Sequence, residues 1–256
     1  MRIIRYSDKN GKAVFGWVNG DLVGRIEGSV FESFRRDSAN FPLADLQLLP
    51  PVVPSKIICV GRNYAAHAQE HDVEVPEVPL LFLKPPSSII GPGETIYLPP
   101  QSQRVEHEAE LAVVIGKRSR WLDIDAAKDA ILGYTIANDV TARDLQRRDG
   151  QWTRGKGFDT FCPIGPWVET DLDPADAVIT CTVNGELRQM GSTRDMVFSV
   201  RQLVTYASSV MTLEPGDLLL TGTPAGVGLL NDSDELVTSI EGIGELRNPV
   251  KAEPAH

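Results

Sequence analysis

The chain has 256 residues, 42% of them hydrophobic, enough for a folded core, and no apolar run approaches the roughly 18 residues a membrane-spanning helix needs. A formal charge of −10 argues against nucleic acid or an anionic membrane as partner, yet allows an anionic substrate wherever a metal and a few cations reverse the field locally. Three widely spaced cysteines (Cys59, Cys162, Cys181) offer neither a disulfide framework nor a zinc ribbon, and the start, Met1 to Tyr6, lacks the apolar stretch of a signal peptide, so a cytoplasmic location is expected.

In chain order, Asn10-Gly11 and Asn19-Gly20 are hairpin-turn signals between short apolar stretches, and residues 1–53 are expected to form a small N-terminal β domain. The proline-rich run from Leu49 to Pro54 marks its end. Strands are expected over 56–60, 80–83, 111–115, 134–137, 178–183 and 218–221, with a further hairpin at Asn184-Gly185. Two segments carry helical signals: 123–132, after an acidic N-cap, and 199–211, with apolar residues at Val200, Leu203, Val204 and Ala207. Many strands and few helices predict an α+β, mostly β fold.

The segment from Val105 to Val114 alternates at its start and then becomes wholly apolar. Residues two apart on a strand share a face, so Glu106, Glu108 and Glu110 are expected to project together. Like charges running into a buried stretch are costly without a positive partner. A divalent cation meets that need, and oxygen ligation suits Mg²⁺, Mn²⁺ or Ca²⁺ better than Zn²⁺. Asp139, after the apolar run Tyr134 to Ala137, offers a third carboxylate at another strand end. The plainer reading of the same residues is a solvated acidic edge strand and a turn aspartate.

Six blocks in order narrow the choice: Gly61 to His67, Phe82 to Pro85, His107 to Leu111, Asn138 to Asp144, Trp152 to Phe158 and Leu220 to Gly228. Together they resemble the fumarylacetoacetate hydrolase family. The resemblance implies a mixed β-roll or sandwich for residues 54–256 as the catalytic domain, and a homodimer. It implies metal ligands at Glu108, Glu110 and Asp139, with Mg²⁺ or Mn²⁺ as cofactor and Ca²⁺ as a non-physiological occupant; Glu106 then falls at the surface or behind the ligands. Substrate-binding positions fall on Arg143, Gln146 and Thr223, and catalytic ones on Lys156 and the acid–base pair His67 and Glu70. The implied substrate is a small anionic 2-oxo acid whose enolate is stabilised by the metal and Lys156, with His67, oriented by Glu70, taking a proton from water.

The favoured reaction is hydrolysis of a carbon–carbon bond in acylpyruvate-type acids; 2-hydroxyhepta-2,4-diene-1,7-dioate isomerisation and oxaloacetate decarboxylation use the same centre. Residues 70–79, with four acids and two prolines, are expected to form a mobile lid. Two readings from other classes compete. His67-Ala68-Gln69-Glu70-His71 spells the H-x-x-E-H zinc-peptidase motif, and a non-catalytic binding module could retain the same residues.

Overall fold

After its first two residues the strand Ala109–Ile115 is wholly apolar, and it is buried at every position. A strand so composed has to be covered on both faces. Leu111, Val113 and Ile115 enter one hydrophobic cluster, whereas Ala112 and Val114 enter another on the opposite face. Each of the larger side chains contributes roughly 1.5–3 kcal/mol by leaving water. The computed structural model describes residues 1–70 and 72–254.

Ala109–Ile115 lies inside a sheet of thirteen strands among the described residues, between Ile131–Asn138 and Leu218–Leu220. Beyond Leu218–Leu220 follow Ile57–Gly61 and Leu80–Lys84; beyond Ile131–Asn138 follow Cys162–Glu169 and the N-terminal strands Arg2–Ser7, Ala13–Asn19 and Leu22–Gly28. A five-stranded sheet covers one face, and its Ile179, Leu236, Ile240 and Leu246 share the cluster of Leu111 and Val113. Val30 and Val52, with Phe31 and Phe34 against them, pack in the cluster on the other face. Residues from the first 53 thus both lengthen the large sheet and cover it. The fold class is the mostly β, α+β one expected.

The helices are short: α1 (Ala65–Glu70), α2 (Arg143–Asp149), α3 (Thr153–Lys156) and α4 (Val200–Val210). Among the described residues no helix is long and apolar enough to cross a membrane. The helix expected at 199–211 is α4, opened by Gln202 Oε1 accepting the Ser199 N–H at 2.8 Å. The one expected at 123–132 shrinks to a 3₁₀ turn, Ala126–Ala130, because Ile131 already begins a central strand. Asn184-Gly185 turns a hairpin with φ of 53° and 79°, the left-handed pair that a two-residue type I′ turn requires.

Asp217, just before the interior strand Leu218–Leu220, ties that strand to the loop leading into Ile57–Gly61. Fully buried, it accepts from Ser55 N (3.0 Å), Ser55 Oγ (2.7 Å), Lys56 N (3.1 Å) and Glu214 N (2.8 Å), and pairs with Lys56 Nζ. Asp217→Ala leaves those donors without their acceptor and is expected to cost about 3 kcal/mol, seen as a Tm drop of roughly 6–12 °C. A melt within a degree or two of the parent would show that water replaces the carboxylate.

Candidate metal and active site

Strand register creates the site. Ala109 pairs with Asn138 in an antiparallel ladder, so the next residues outward, Glu108 and Asp139, meet across the strands. The Asp139 N–H donates to Glu108 O at 2.8 Å, and Asn138 Oδ1 accepts the Glu108 N–H at 2.9 Å. Glu108 stands where the chain leaves a small three-stranded sheet, through Val105–His107, for the large one. Glu110 follows two residues on. One carboxylate oxygen from each of Glu108, Glu110 and Asp139 lies within 4.8 Å of the others, and all three residues are buried.

Cations surround two of the three. Lys156 Nζ donates to Glu108 Oε2 at 2.8 Å and to Asp139 Oδ2 at 2.7 Å. Lys84 Nζ donates to Asp139 Oδ1 at 2.7 Å and to Val140 O at 3.1 Å. Arg143 forks between Glu106 Oε2 (2.7 Å) and Glu108 Oε1, and its Nη1 donates to Gln146 Oε1 at 2.8 Å. Burial opposes the charge on Glu108, but Lys156 and Arg143 outweigh it and hold its pKa well below the usual carboxylate range. Burial likewise works against the Lys156 ammonium; Asp139 and Glu108 overcome it and raise its pKa.

Glu110 is the exception. Its Oε2 accepts the Gly222 N–H at 2.7 Å. Burial, then Asp139 and Glu108, push its pKa well above the usual carboxylate value. Lys84, Lys156, Arg143 and Arg104 form ion pairs with Asp139, Glu108 and Glu106, and among the described residues no ion pair reaches Glu110. Three convergent carboxylates with one short of positive charge fit a hard divalent cation. Gly222 makes its contact at φ +95°, and a Cβ there would sit 2.8 Å from Asn63 Cβ, so glycine is required for the amide to reach Glu110.

The cluster forms the floor of a cavity of about 270 Å³ that every expected site residue except Glu70 lines. His67 is buried in its wall on α1, with Nδ1 3.4 Å from Glu70 Oε2. Both Glu70 oxygens also accept the Gly226 N–H at 3.2 Å, tying α1 to the glycine-rich run 222–228. Burial lowers the His67 pKa, favouring the neutral imidazole. From the expected lid, Val73 lines the cavity, and its N–H donates to Ala68 O at 3.0 Å. His71, needed for the zinc-peptidase motif, lies outside the described residues.

Glu106 is not at the surface: it is 1% exposed and holds Arg143 and Arg104. Sequence reasoning gave no role to Lys84, to Phe82 and Trp152, which pack edge to face at 5.1 Å in the cavity wall, or to Gln189 behind it. It also missed Arg62, at φ +60°, and Arg147, whose side chains line the cavity without an ion pair among the described residues. A signal existed for Arg147, which stands four residues after Arg143 on the same helix face.

Comparison with known proteins matches residues 56–251 to the model of the fumarylacetoacetate (FAA) hydrolase C-terminal family, and residues 1–51 to an Rv2993c-like N-terminal model. The chain is 46% identical over 222 residues to oxaloacetate tautomerase FAHD2B, mitochondrial, of Bos taurus, covering 82% of this chain and 71% of that one. It superposes on 2-hydroxyhepta-2,4-diene-1,7-dioate isomerase from Mycobacterium marinum with a TM-score of 0.92 at 45% identity, covering all of both chains. Fumarylacetoacetate hydrolase from Exiguobacterium antarcticum gives 0.85 at 39% identity, covering 99% of this chain and 100% of that one.

Proposed function

Because this chain belongs to the fumarylacetoacetate hydrolase family, we propose that it is a divalent-cation-dependent enzyme acting on small anionic 2-oxo acids, and that it hydrolyses the carbon–carbon bond of acylpyruvate-type 2,4-dioxo acids. The observation that carries the reading is the meeting, in one cavity, of the Glu108, Glu110 and Asp139 carboxylates, the Lys156 ammonium and the buried His67 oriented by Glu70. Mg²⁺ or Mn²⁺ held by the three carboxylates would supply a Lewis acid for the substrate's 2-oxo group. Lys156 sets a fixed positive charge beside the position where an enolate develops. Gln146 lines the cavity with its Oε1 taken by Arg143, so its amide N–H₂ is the group it would offer a carboxylate. His67 removes a proton from water, and Glu70 holds its ring.

A second reading, keto–enol tautomerisation or isomerisation of a 2-oxo acid, draws support from the identity to the bovine tautomerase and the Mycobacterium isomerase. It uses the same carboxylates and Lys156 without an attacking water. A panel of acylpyruvates, oxaloacetate and an unsaturated 2-oxo dioate, assayed with Mg²⁺ and Mn²⁺, separates the two. Acylpyruvate cleavage is the expected result. Tautomerisation without cleavage selects the second reading, and silence on the whole panel discards both.

Cation binding has a readout independent of turnover. A cation at about 100 times its Kd stabilises the folded protein by about 2.7 kcal/mol. Adding Mg²⁺ or Mn²⁺ is therefore expected to raise Tm, and Glu110→Gln to remove most of that rise. Without cation the variant should melt no lower than the parent, because a buried carboxylate among like charges has been neutralised. An undiminished cation-induced rise in Glu110→Gln would take Glu110 out of the ligand set.

A further inference from the structure

We propose that Gln189 is a positioning residue that leaves Thr223 able only to accept a hydrogen bond from a ligand, so that the site selects the enol form of a 2-oxo acid through its hydroxyl proton. The proposal rests on the reading of the cavity as a 2-oxo acid site.

Gln189, on the strand Glu186–Ser192, has no exposed surface. Its Oε1 lies 3.0 Å from the Ala109 N–H, which can only donate, and its Nε2 lies 2.8 Å from Pro224 O, which can only accept. Those two backbone groups fix which end of the amide is which. The His107 ring, 2.9 Å from the same Oε1, must then carry its proton on Nδ1. The second amide hydrogen of Gln189 points at Thr223 Oγ1, 2.7 Å away.

Thr223 Oγ1 is also 2.8 Å from Ala109 O, an obligate acceptor, which takes the one hydroxyl proton. A hydroxyl has one proton and two lone pairs. With the proton given to Ala109 and one lone pair given to Gln189, a single lone pair remains. Thr223 is 2% exposed and lines the cavity beside Glu108, Glu110 and Asp139. A carboxylate or keto oxygen brought to that lone pair meets acceptor with acceptor, whereas an enol hydroxyl satisfies it. Lys156 and Gln146, both carrying N–H donors, line the same cavity, so a carboxylate has recognition groups separate from the one that takes the hydroxyl.

Two inert probes read this without turnover: glycolate, which carries a hydroxyl proton, and methoxyacetate, which keeps the oxygen but has no proton. Their binding in Mg²⁺ buffer is followed by calorimetry and by the fluorescence of Trp152 in the cavity wall. The wild type and Thr223→Ser are expected to prefer glycolate by about tenfold, the scale of one satisfied hydrogen bond. Thr223→Val should lose the preference. Gln189→Met should cut it to about threefold or less, because a hydroxyl no longer pinned can turn and donate. General structural damage would weaken both probes together and leave their ratio intact.

Equal binding of the two probes to the wild type, failure of glycolate to bind, or a preference that survives Thr223→Val would overturn the proposal. Should the wild type turn over oxo acids yet show no probe preference, the acceptor role alone fails. Should it prefer glycolate yet turn over nothing in the substrate panel, the reaction assignment fails and the acceptor role stands.

Discussion

Lys156→Met is expected to lower kcat by about 10²-fold or more while divalent-cation binding tightens. The two effects have opposite signs for one geometric reason. The Lys156 ammonium, buried, sits 2.8 Å from Glu108 Oε2 and 2.7 Å from Asp139 Oδ2, two of the three carboxylates that converge. It competes with a cation for their lone pairs, so its removal leaves them more negative and a better site for Mg²⁺ or Mn²⁺. In the proposed reaction the same ammonium would face growing negative charge, and a charge matched to the transition state bears on kcat more than on substrate binding. Without cation the variant should lose about 3–5 kcal/mol of stability, the usual result of leaving buried charge unpartnered, and added Mg²⁺ should restore part of it. Steady-state kinetics, calorimetric titration of cation and thermal melts are the measurements. A normal kcat removes Lys156 from the chemistry, and cation binding that weakens together with kcat points to a damaged site instead.

The parts of this site that could be read in the sequence are those whose signal is local. Alternation from Val105 into an apolar run marked Glu106, Glu108 and Glu110 alike, an apolar strand end marked Asp139, and the resemblance carried by the six blocks singled out Glu108 and Glu110. The partners that give the cluster its electrostatics come from elsewhere in the chain. Lys84 is 55 residues from Asp139, and Gln189 is 80 residues from Ala109, so no window contains both ends of either contact. Helix α2 escaped because its sequence, RDLQRRD, has one apolar residue and no side-chain cap; packing against α3 and the small sheet holds it. The shortened helix at 123–132 failed for the opposite reason. Its local propensity was adequate, but pairing of Ile131–Asn138 in the large sheet claimed its last residues. Glu106 looked equivalent to Glu108 by period alone; Arg143 reaches both, and what separates them is that Arg104 takes the other Glu106 oxygen whereas Lys156 joins Glu108 to Asp139.

His67→Ala separates the reactions open to this cavity. Hydrolysis needs an activated water. His67 would take its proton, the water oxygen would add to the distal carbonyl, and the adjoining carbon–carbon bond would break with its electron pair going to the enolate of the 2-oxo acid. Decarboxylation of oxaloacetate loses CO₂ with no water attack, yet passes through the same kind of enolate, so both reactions need Lys156 and the carboxylates. Acylpyruvate cleavage is therefore expected to fall by roughly 10²–10⁴-fold, the range for a lost general base, while any decarboxylation falls much less. Glu70→Ala should show the same asymmetry more weakly. Glu70 Oε2 lies 3.4 Å from His67 Nδ1 and can only accept there, which makes Nε2 the basic nitrogen. Burial lowers the His67 pKa, so the neutral base is populated at pH 7, and the acid limb of kcat/KM for cleavage should fall below the ordinary histidine value of about 6.5. The measurement is steady-state kinetics of the parent and both variants on the two substrates, at matched Mg²⁺ and across pH. If both activities fell equally, or cleavage survived the loss of His67, another group would have to activate the water, and tautomerisation or decarboxylation would become the better account of the cavity.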